Sequence, residues 1–93
     1  DWTAPPLRRG ETVIVSDVHH SGHVPPEYIA AMEAVQQKSV VLVPLIKEGK
    51  WAGVLAVGED APRDWKAEDA DLARETLERM WAAAQRARAE ESL

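Results

Sequence analysis

The front half of the chain alternates between short apolar segments and polar turns, and each segment predicts one element. Residues 11–16 are dense in β-branched side chains, a composition typical of a short strand. Gly and Pro then punctuate residues 17–26, which predicts a loop. From Pro26 apolar residues recur at helical spacing, so we predict a helix over 26–38. Residues 1–10, which contain two adjacent prolines, are predicted to form an extended lead-in that ends in a turn.

The middle of the chain predicts a β-hairpin over residues 39–58. Residues 39–46 are apolar at nearly every position, as in a central strand that is covered on both faces. Pro44 cannot donate a backbone hydrogen bond, so we expect a bulge or an unpaired position there. The polar connection 47–50 contains a glycine and suits an antiparallel turn.

The second strand of this hairpin, residues 51–57, alternates between larger and smaller side chains. We assign the larger set to one face of the sheet: Trp51, Gly53, Leu55 and Val57. The opposite face carries a smaller set that could let a helix lie close to the sheet: Ala52, Val54 and Ala56.

The last third of the chain predicts a long amphipathic helix over residues 65–91. Its apolar residues follow at alternating steps of three and four, which is the spacing of a heptad seam. At 1.5 Å per residue the helix would be roughly 40 Å long, whereas a domain of this size is about 30 Å across. We therefore expect its distal turns to contact a partner. The predicted dimer helix uses Ala73, Leu77, Met80, Trp81, Ala84 and Ala87.

Composition narrows the class of protein. The 93 residues suffice for one small domain, and 45% apolar with 29% charged residues is an ordinary globular composition. The absence of cysteine excludes disulfides and Cys-ligated metal sites and is compatible with a cytoplasmic location. The net charge of −5 disfavours nucleic acid as a partner. The longest apolar run is far shorter than the roughly 18 residues of a membrane span, so no membrane partner is expected.

Three histidines in the loop, His19, His20 and His23, are the densest chemical feature of the chain. Imidazoles four residues apart can share a transition metal, with Asp17 as the near candidate for a further ligand. Solvated loop histidines are the favoured interpretation, with a metal or a ligand contact as the alternatives, and no metal site is predicted. The serines lie in no nucleophile elbow, so we predict no catalytic residue and do not expect this fragment to be an enzyme.

Three segments of the chain carry a family resemblance: residues 7–17, 43–57, and 61–65 running into the Ala/Arg-rich tail. The central motif of the hairpin consists of Pro44, Leu45, Gly49, Gly53 and Leu55. Together these segments resemble GAF domains of bacterial sensor histidine kinases and phytochrome-like proteins. The resemblance implies an α+β fold related to PAS domains, in which an antiparallel β-sheet packs against helices and a long C-terminal helix follows.

The resemblance covers only the latter part of the family's fold. The N-terminal helix and first two strands of the usual six-stranded sheet have no counterpart here, so residues 1–93 resemble a partial GAF-like domain that is incomplete at its N-terminus. An exposed sheet edge would follow, and such an edge invites pairing with a second chain. Covalent bilin attachment in phytochrome relatives uses a cysteine, which this segment lacks. The cofactor is therefore open, with a noncovalent small ligand or bilin as the possibilities.

The function implied by the resemblance is a sensory module of a two-component sensor histidine kinase, which binds a small ligand and relays a signal through a dimeric C-terminal helix. Its partners would be a second copy, through that helix or the sheet edge, and neighbouring kinase or PAS domains of the parent chain. A ligand-free dimerisation spacer is the alternative. The residues expected to line the ligand pocket are Asp17, His19, His20, His23, Tyr28, Met32, Ser39 and Val41.

Overall fold

The central element of the fold is an apolar strand with a partner strand on each side. The structure, a computed structural model, describes residues 2–22 and 24–91. In chain order the elements are α1 (Ala4–Arg8), β1 (Val13–Val15), α2 (Pro26–Ala34), β2 (Ser39–Lys47), β3 (Lys50–Glu59) and α3 (Ala67–Glu91). The strands form one antiparallel sheet in the order β1-β2-β3. The α+β fold with a long C-terminal helix is thus confirmed.

β2 is buried on both faces because helices cover each side of the sheet. Successive residues of a strand point to opposite faces, so β2 contributes to two separate cores. The core under α1 and α2 consists of Leu7, Val13, Val15, Val18, Met32, Val40 and Leu42. The core under α3 consists of Val41, Val43, Leu45, Trp65, Ala70, Ala73 and Leu77. The prediction of a strand covered on both faces is confirmed.

The hairpin contains a β-bulge next to the position predicted from Pro44, although Pro44 itself pairs in register with Val54. Its register shifts directly after Leu45, so that Ile46 pairs with Trp51 and Ala52 is the extra residue. The bulge turns Trp51 to the face of α1, where the guanidinium of Arg8 lies 5.9 Å from the centroid of the indole ring. Assigning Trp51 to the same face as the other large residues of β3 was wrong, because the bulge reverses the alternation.

α3 covers the larger face of β3 and not the smaller one. Leu55 packs against the core under α3, whereas Val54 on the opposite face is 44% exposed. The helix on the smaller face is α1, whose Arg8 lies over Trp51. α3 packs on the other face, where Val43 and Leu45 of β2 lie beside Leu55 and give its apolar side chains large partners.

The N-terminal segment forms a short helix, α1, and not the predicted extended lead-in. Its two prolines lie in the first turn, where the missing N–H groups would have no helical acceptor in any case. Leu7 is only 3% exposed and inserts into the core under α1 and α2. Burial of this one side chain is the tertiary contact that favours the helix. Gly10 follows with φ of 82°, a conformation that glycine adopts without strain.

α2 ends at Ala34, four residues before the predicted boundary. Gln36 has a φ of 60°, and the N–H of Gln37 donates to the carbonyl of Met32 at 2.9 Å. This left-handed residue closes the helix and directs the chain toward β2.

α3 is held on the sheet along its first half and is exposed along its second. The Nζ of Lys47 lies 2.5 Å from Glu78, and Arg74 donates to the hydroxyl of Thr12 at 2.8 Å. Beyond Trp81 every residue of the helix is exposed. The molecule measures 50 × 26 × 23 Å, since its 25-residue helix extends past the sheet. Among the helices that the structure describes, none has the length and apolarity needed to cross a bilayer.

Candidate functional site

The loop after β1 is ordered by the side chain of Asp17. Its carboxylate accepts the N–H of His19 at 3.1 Å and lies 2.8 Å from Nδ1 of His20. The hydroxyl of Ser21 donates to the carbonyl of Asp17 at 2.6 Å. The hydrogen bond from His20 holds the pKa of the Asp17 carboxyl below its usual value, and the N–H of His19 acts in the same direction.

The same loop is tied to α2 by a histidine and a carboxylate. Nε2 of His19 lies 2.7 Å from Oε1 of Glu33, and both side chains are partly exposed. Next to this pair, an open cavity of about 360 Å³ lies between the loop, the end of α2 and the end of β3. We call it the His19 cavity, and its lining residues are His19, Glu33, Gln36, Gln37, Lys38 and Asp60.

The wall of the His19 cavity is fixed by backbone hydrogen bonds that meet at Lys38. The N–H of Lys38 donates to the carbonyl of Glu59 at 2.7 Å, and its own carbonyl accepts the N–H of Val18 at 2.8 Å. One residue therefore joins the loop after β1, the end of α2 and the end of β3. These hydrogen bonds between separate segments constrain the shape of the cavity.

The His19 cavity presents charges of both signs that have no partner in the protein. Within residues 2–22 and 24–91, neither the ammonium of Lys38 nor the carboxylate of Asp60 makes a hydrogen bond or an ion pair. The amide oxygen of Gln37 is buried and unpaired as well. It lies over Gly58, where an added Cβ would come within 2.2 Å of that oxygen.

The predicted ligand residues do not form one pocket. Met32 belongs to the core under α1 and α2, whereas Val41 belongs to the core under α3, on the opposite face of the sheet. Ser39 is fully buried, and its hydroxyl donates to the carbonyl of Ala61 at 2.9 Å. The ring of Tyr28 packs edge-on against Trp2 with centroids 5.2 Å apart, and burial raises the pKa of its hydroxyl.

Among the loop residues that the structure describes, only His19 lines the cavity. Asp17 and His20 support the loop from behind, and His23 lies outside the described residues. Among the described residues, no three His, Asp or Glu side chains come close enough to hold a metal ion.

Sequence reasoning missed most of the lining of the His19 cavity. Gln36, Gln37 and Lys38 fall inside the helix predicted over 26–38, and Asp60 lies between the predicted hairpin and the predicted long helix. Their common signal is that each lies where an element ends and is polar, which is where binding residues are concentrated. The sequence alone could not place these three ends side by side.

The connection from β3 to α3 is organised by Arg63. Its backbone N–H donates to the carbonyl of Ser16 at 2.9 Å, and its guanidinium stacks 4.3 Å from the ring centroid of Trp65. The same guanidinium contacts Glu59 at 2.5 Å and Asp69 at 3.1 Å, and the carboxylate of Glu59 raises the pKa of Arg63. These contacts hold the residues that follow Asp60 against the start of α3.

Asp69 also caps α3. Its second oxygen accepts the N–H of Lys66 at 2.8 Å, which is the reciprocal half of a capping box. Arg63 and the helix start therefore share one carboxylate.

A second candidate surface is the free edge of β3. Among the described strands only β2 pairs with it, although β3 is ten residues long. Its exposed apolar side chains include Trp51, Val54 and Val57. An adjoining groove of about 280 Å³ runs between β3 and α3, lined by Leu55, Val57, Arg63, Trp65, Asp69, Leu72, Ala73 and Thr76.

The predicted dimer helix divides into two halves. Ala73 and Leu77 are buried against the sheet of their own chain, and Trp81 is half-buried against the same core. Met80 is 55% exposed, and Ala84 and Ala87 are exposed. Only this distal part is open to a second helix.

We expect the contribution of Asp17 to the stability of the protein to be lost at acidic pH. Because its folded pKa is lowered, Asp17 stabilises the fold above its unfolded pKa of about 3.9, and this contribution is lost as the pH falls through the folded pKa. Asp17→Asn should therefore reduce stability at neutral pH, and the difference from the parent should shrink below about pH 4. Urea unfolding followed by circular dichroism across this range measures it. Asp71→Asn on exposed α3 is the control, and a difference that does not change with pH would contradict the prediction.

Comparisons with known proteins agree with the fold. The GAF domain family matches residues 4–84 of the chain. GAF3 from Slr1393 of Synechocystis sp. PCC6803 superimposes with a TM-score of 0.78 at 21% identity, over 92% of this chain and 54% of that one. The red light-absorbing state of NpR6012g4, a red/green cyanobacteriochrome, gives 0.78 at 25% identity, over 92% and 55%. Among curated proteins, none matches the sequence.

A third solved structure is similar in fold. A domain of a protein described as a two-component sensor histidine kinase, from Sinorhizobium meliloti 1021, has a TM-score of 0.76 at 20% identity, over 95% of this chain and 60% of that one. The chain spans 54 to 60% of the length of these three structures. Since the family match extends over most of the sequence, this chain belongs to the GAF domain family.

Proposed function

We propose that this chain is a sensory module of a bacterial signal-transduction protein, most simply a two-component sensor histidine kinase, and that a small ligand is bound in the His19 cavity. The observation that carries the proposal is the position of the cavity. Its last lining residue, Asp60, lies in the short segment that connects β3 to α3. A conformational change at the cavity would therefore be transmitted directly to the start of α3, the longest helix.

The contacts of Arg63 supply a path for the relay. A ligand that moved Asp60 would also move the adjacent Glu59, whose carboxylate contacts Arg63. Arg63 in turn contacts Asp69, which caps α3. Charge-assisted hydrogen bonds of this kind are strong and directional, so a shift of the guanidinium would alter the seating of the helix start.

The distal half of α3 is the proposed output. Met80, Ala84 and Ala87 leave an apolar stripe exposed beyond the sheet, which suits a second α3 or a neighbouring kinase or PAS domain. Small side chains bury little apolar surface between two such helices, so the helix pair would be only weakly stabilised. Its packing could therefore respond to small changes in free energy. We assign this module no catalytic step, and its proposed location is the cytoplasm.

The relay can be tested by separating binding from transmission. A small molecule selected in a ligand-observed NMR screen should shift the amide resonances of Lys38 and Asp60 and also those of the first turns of α3. Arg63→Ala should keep the first set of shifts and lose the second. Arg86→Ala, an exposed arginine near the end of α3, is the control and should keep both. Undiminished α3 shifts in Arg63→Ala would rule out this path.

The free edge of β3 favours a second candidate function, a ligand-free dimerisation spacer. A long apolar strand edge is a template for pairing with another chain. In that case Val54→Lys should weaken self-association at least about 100-fold, because a charged residue on an edge blocks strand addition. Sedimentation equilibrium measures the dissociation constant. Assembly that instead responds to Ala84→Lys and not to Val54→Lys would place the interface on α3.

A further inference from the structure

The pattern of paired and unpaired charges in the His19 cavity restricts what it can bind. Glu33 is already paired with His19. The two remaining charged groups, Lys38 and Asp60, have no partner within the described residues and carry opposite signs. Both side chains are exposed to solvent, so a ligand that displaced water from both would have to satisfy one cation and one anion at once.

Other ligand classes fit this pattern poorly. A multiply charged anion would face the carboxylates of both Glu33 and Asp60, and a simple cation would leave Lys38 facing a positive charge. An uncharged apolar ligand would remove the two charges from water without pairing them. The free-energy cost of this desolvation would exceed the gain from apolar contacts. With about 360 Å³, the cavity is near the lower end of the roughly 300–1,000 Å³ range of ligand pockets. A compact molecule is therefore favoured.

From these observations we infer that the His19 cavity binds a small zwitterion of the α-amino-acid type, with the ligand carboxylate at Lys38 and the ligand ammonium at Asp60. The exposed amide of Gln36 offers both a donor and an acceptor to a polar ligand side chain. This inference rests on the proposed sensory function, because it names the ligand class of the same cavity.

The test uses the 93-residue chain and three probes that differ by one charge each. They are L-glutamine, its carboxyl-amidated form and its N-acetylated form. Isothermal titration calorimetry should give L-glutamine an affinity at least about tenfold higher than either blocked form, since each loses one charge-assisted contact. Equal binding of all three probes, or no binding of L-glutamine, would overturn the inference.

Two variants assign each charge to its residue. In Lys38→Gln the preference for L-glutamine over the carboxyl-amidated form should fall to about onefold, while the preference over the N-acetylated form persists. Asp60→Asn should show the reverse pattern. Glu48→Gln in the β2–β3 turn and Lys50→Gln at the start of β3 are the matched controls and should keep both preferences. A variant that lost affinity for all three probes equally would contradict the assigned roles, because selective loss is the signature of a direct contact.

A third variant tests the shape of the cavity and not its charge. Gly58→Ala would place a methyl group 2.2 Å from the amide oxygen of Gln37 and push that side chain toward the cavity. Affinity for L-glutamine should fall at least about fivefold with little change in preference among the probes. Unchanged affinity would argue against binding beside Gln37.

The failure of this inference can be told from the failure of the proposed function. If L-glutamine binds and shifts the resonances of Lys38 and Asp60 but none in α3, the ligand class stands and the relay fails. If no zwitterion binds while an unrelated small molecule shifts both the cavity and α3, the relay stands and the ligand class is overturned.

Discussion

Leu77→Ala is expected to destabilise the protein by about 2–5 kcal/mol, the usual cost of removing a buried leucine side chain. Leu77 is 8% exposed and packs in the core formed with Val43 and Leu45 of the central strand. The loss should be large because Leu77 is the last buried residue along α3, and its contacts hold the helix on the sheet. Urea unfolding monitored by circular dichroism at 222 nm measures the change.

Leu72→Ala provides the matched control on the same helix. Leu72 is 61% exposed, so its truncation should change stability by less than about 0.5 kcal/mol in the monomer. Equal losses for the two variants would mean that α3 does not lie on the sheet as described. The pair also separates folding from assembly, since Leu77 is buried within its own chain and its substitution cannot report on a helix dimer.

Trp65→Ala is the second substitution with a large expected effect, about 3–5 kcal/mol. Trp65 is 7% exposed, fills the core under the start of α3 and supports the guanidinium of Arg63 at 4.3 Å. Its truncation would leave a cavity at the junction between β3 and α3 and remove the cation–π contact. Chemical unfolding followed by circular dichroism avoids the loss of the tryptophan signal in the variant.

Trp65→Phe should cost less than about 1.5 kcal/mol. The indole Nε1 of Trp65 is buried without a hydrogen-bond partner, and an unsatisfied donor of this kind costs about 1–3 kcal/mol. Phenylalanine removes that donor and keeps most of the apolar ring, so the two changes partly offset. Trp51→Ala, at a residue that is 36% exposed, is the control and should cost less than Trp65→Ala. A phenylalanine variant as unstable as the alanine variant would contradict this account.

Local patterns in the sequence determined every element except α1. Continuous apolar residues specified β2 as a central strand, because only burial on both faces accounts for them. The heptad spacing specified α3, and its length alone indicated that the helix would extend past the sheet. Each of these features depends on the periodicity of side chains along a helix or a strand, and residues close in sequence are enough to define that periodicity.

The tertiary structure decided the features that depend on which ends of helices and strands lie next to each other. The bulge that turns Trp51 over, the helix formed around Leu7 and the burial of Ala73 and Leu77 all follow from packing between segments distant in sequence. The same holds for the His19 cavity, whose lining comes from three separate ends of elements. The local periodicity of the sequence does not encode which ends lie side by side. The free energy of long-range packing selects that arrangement only when the whole chain folds.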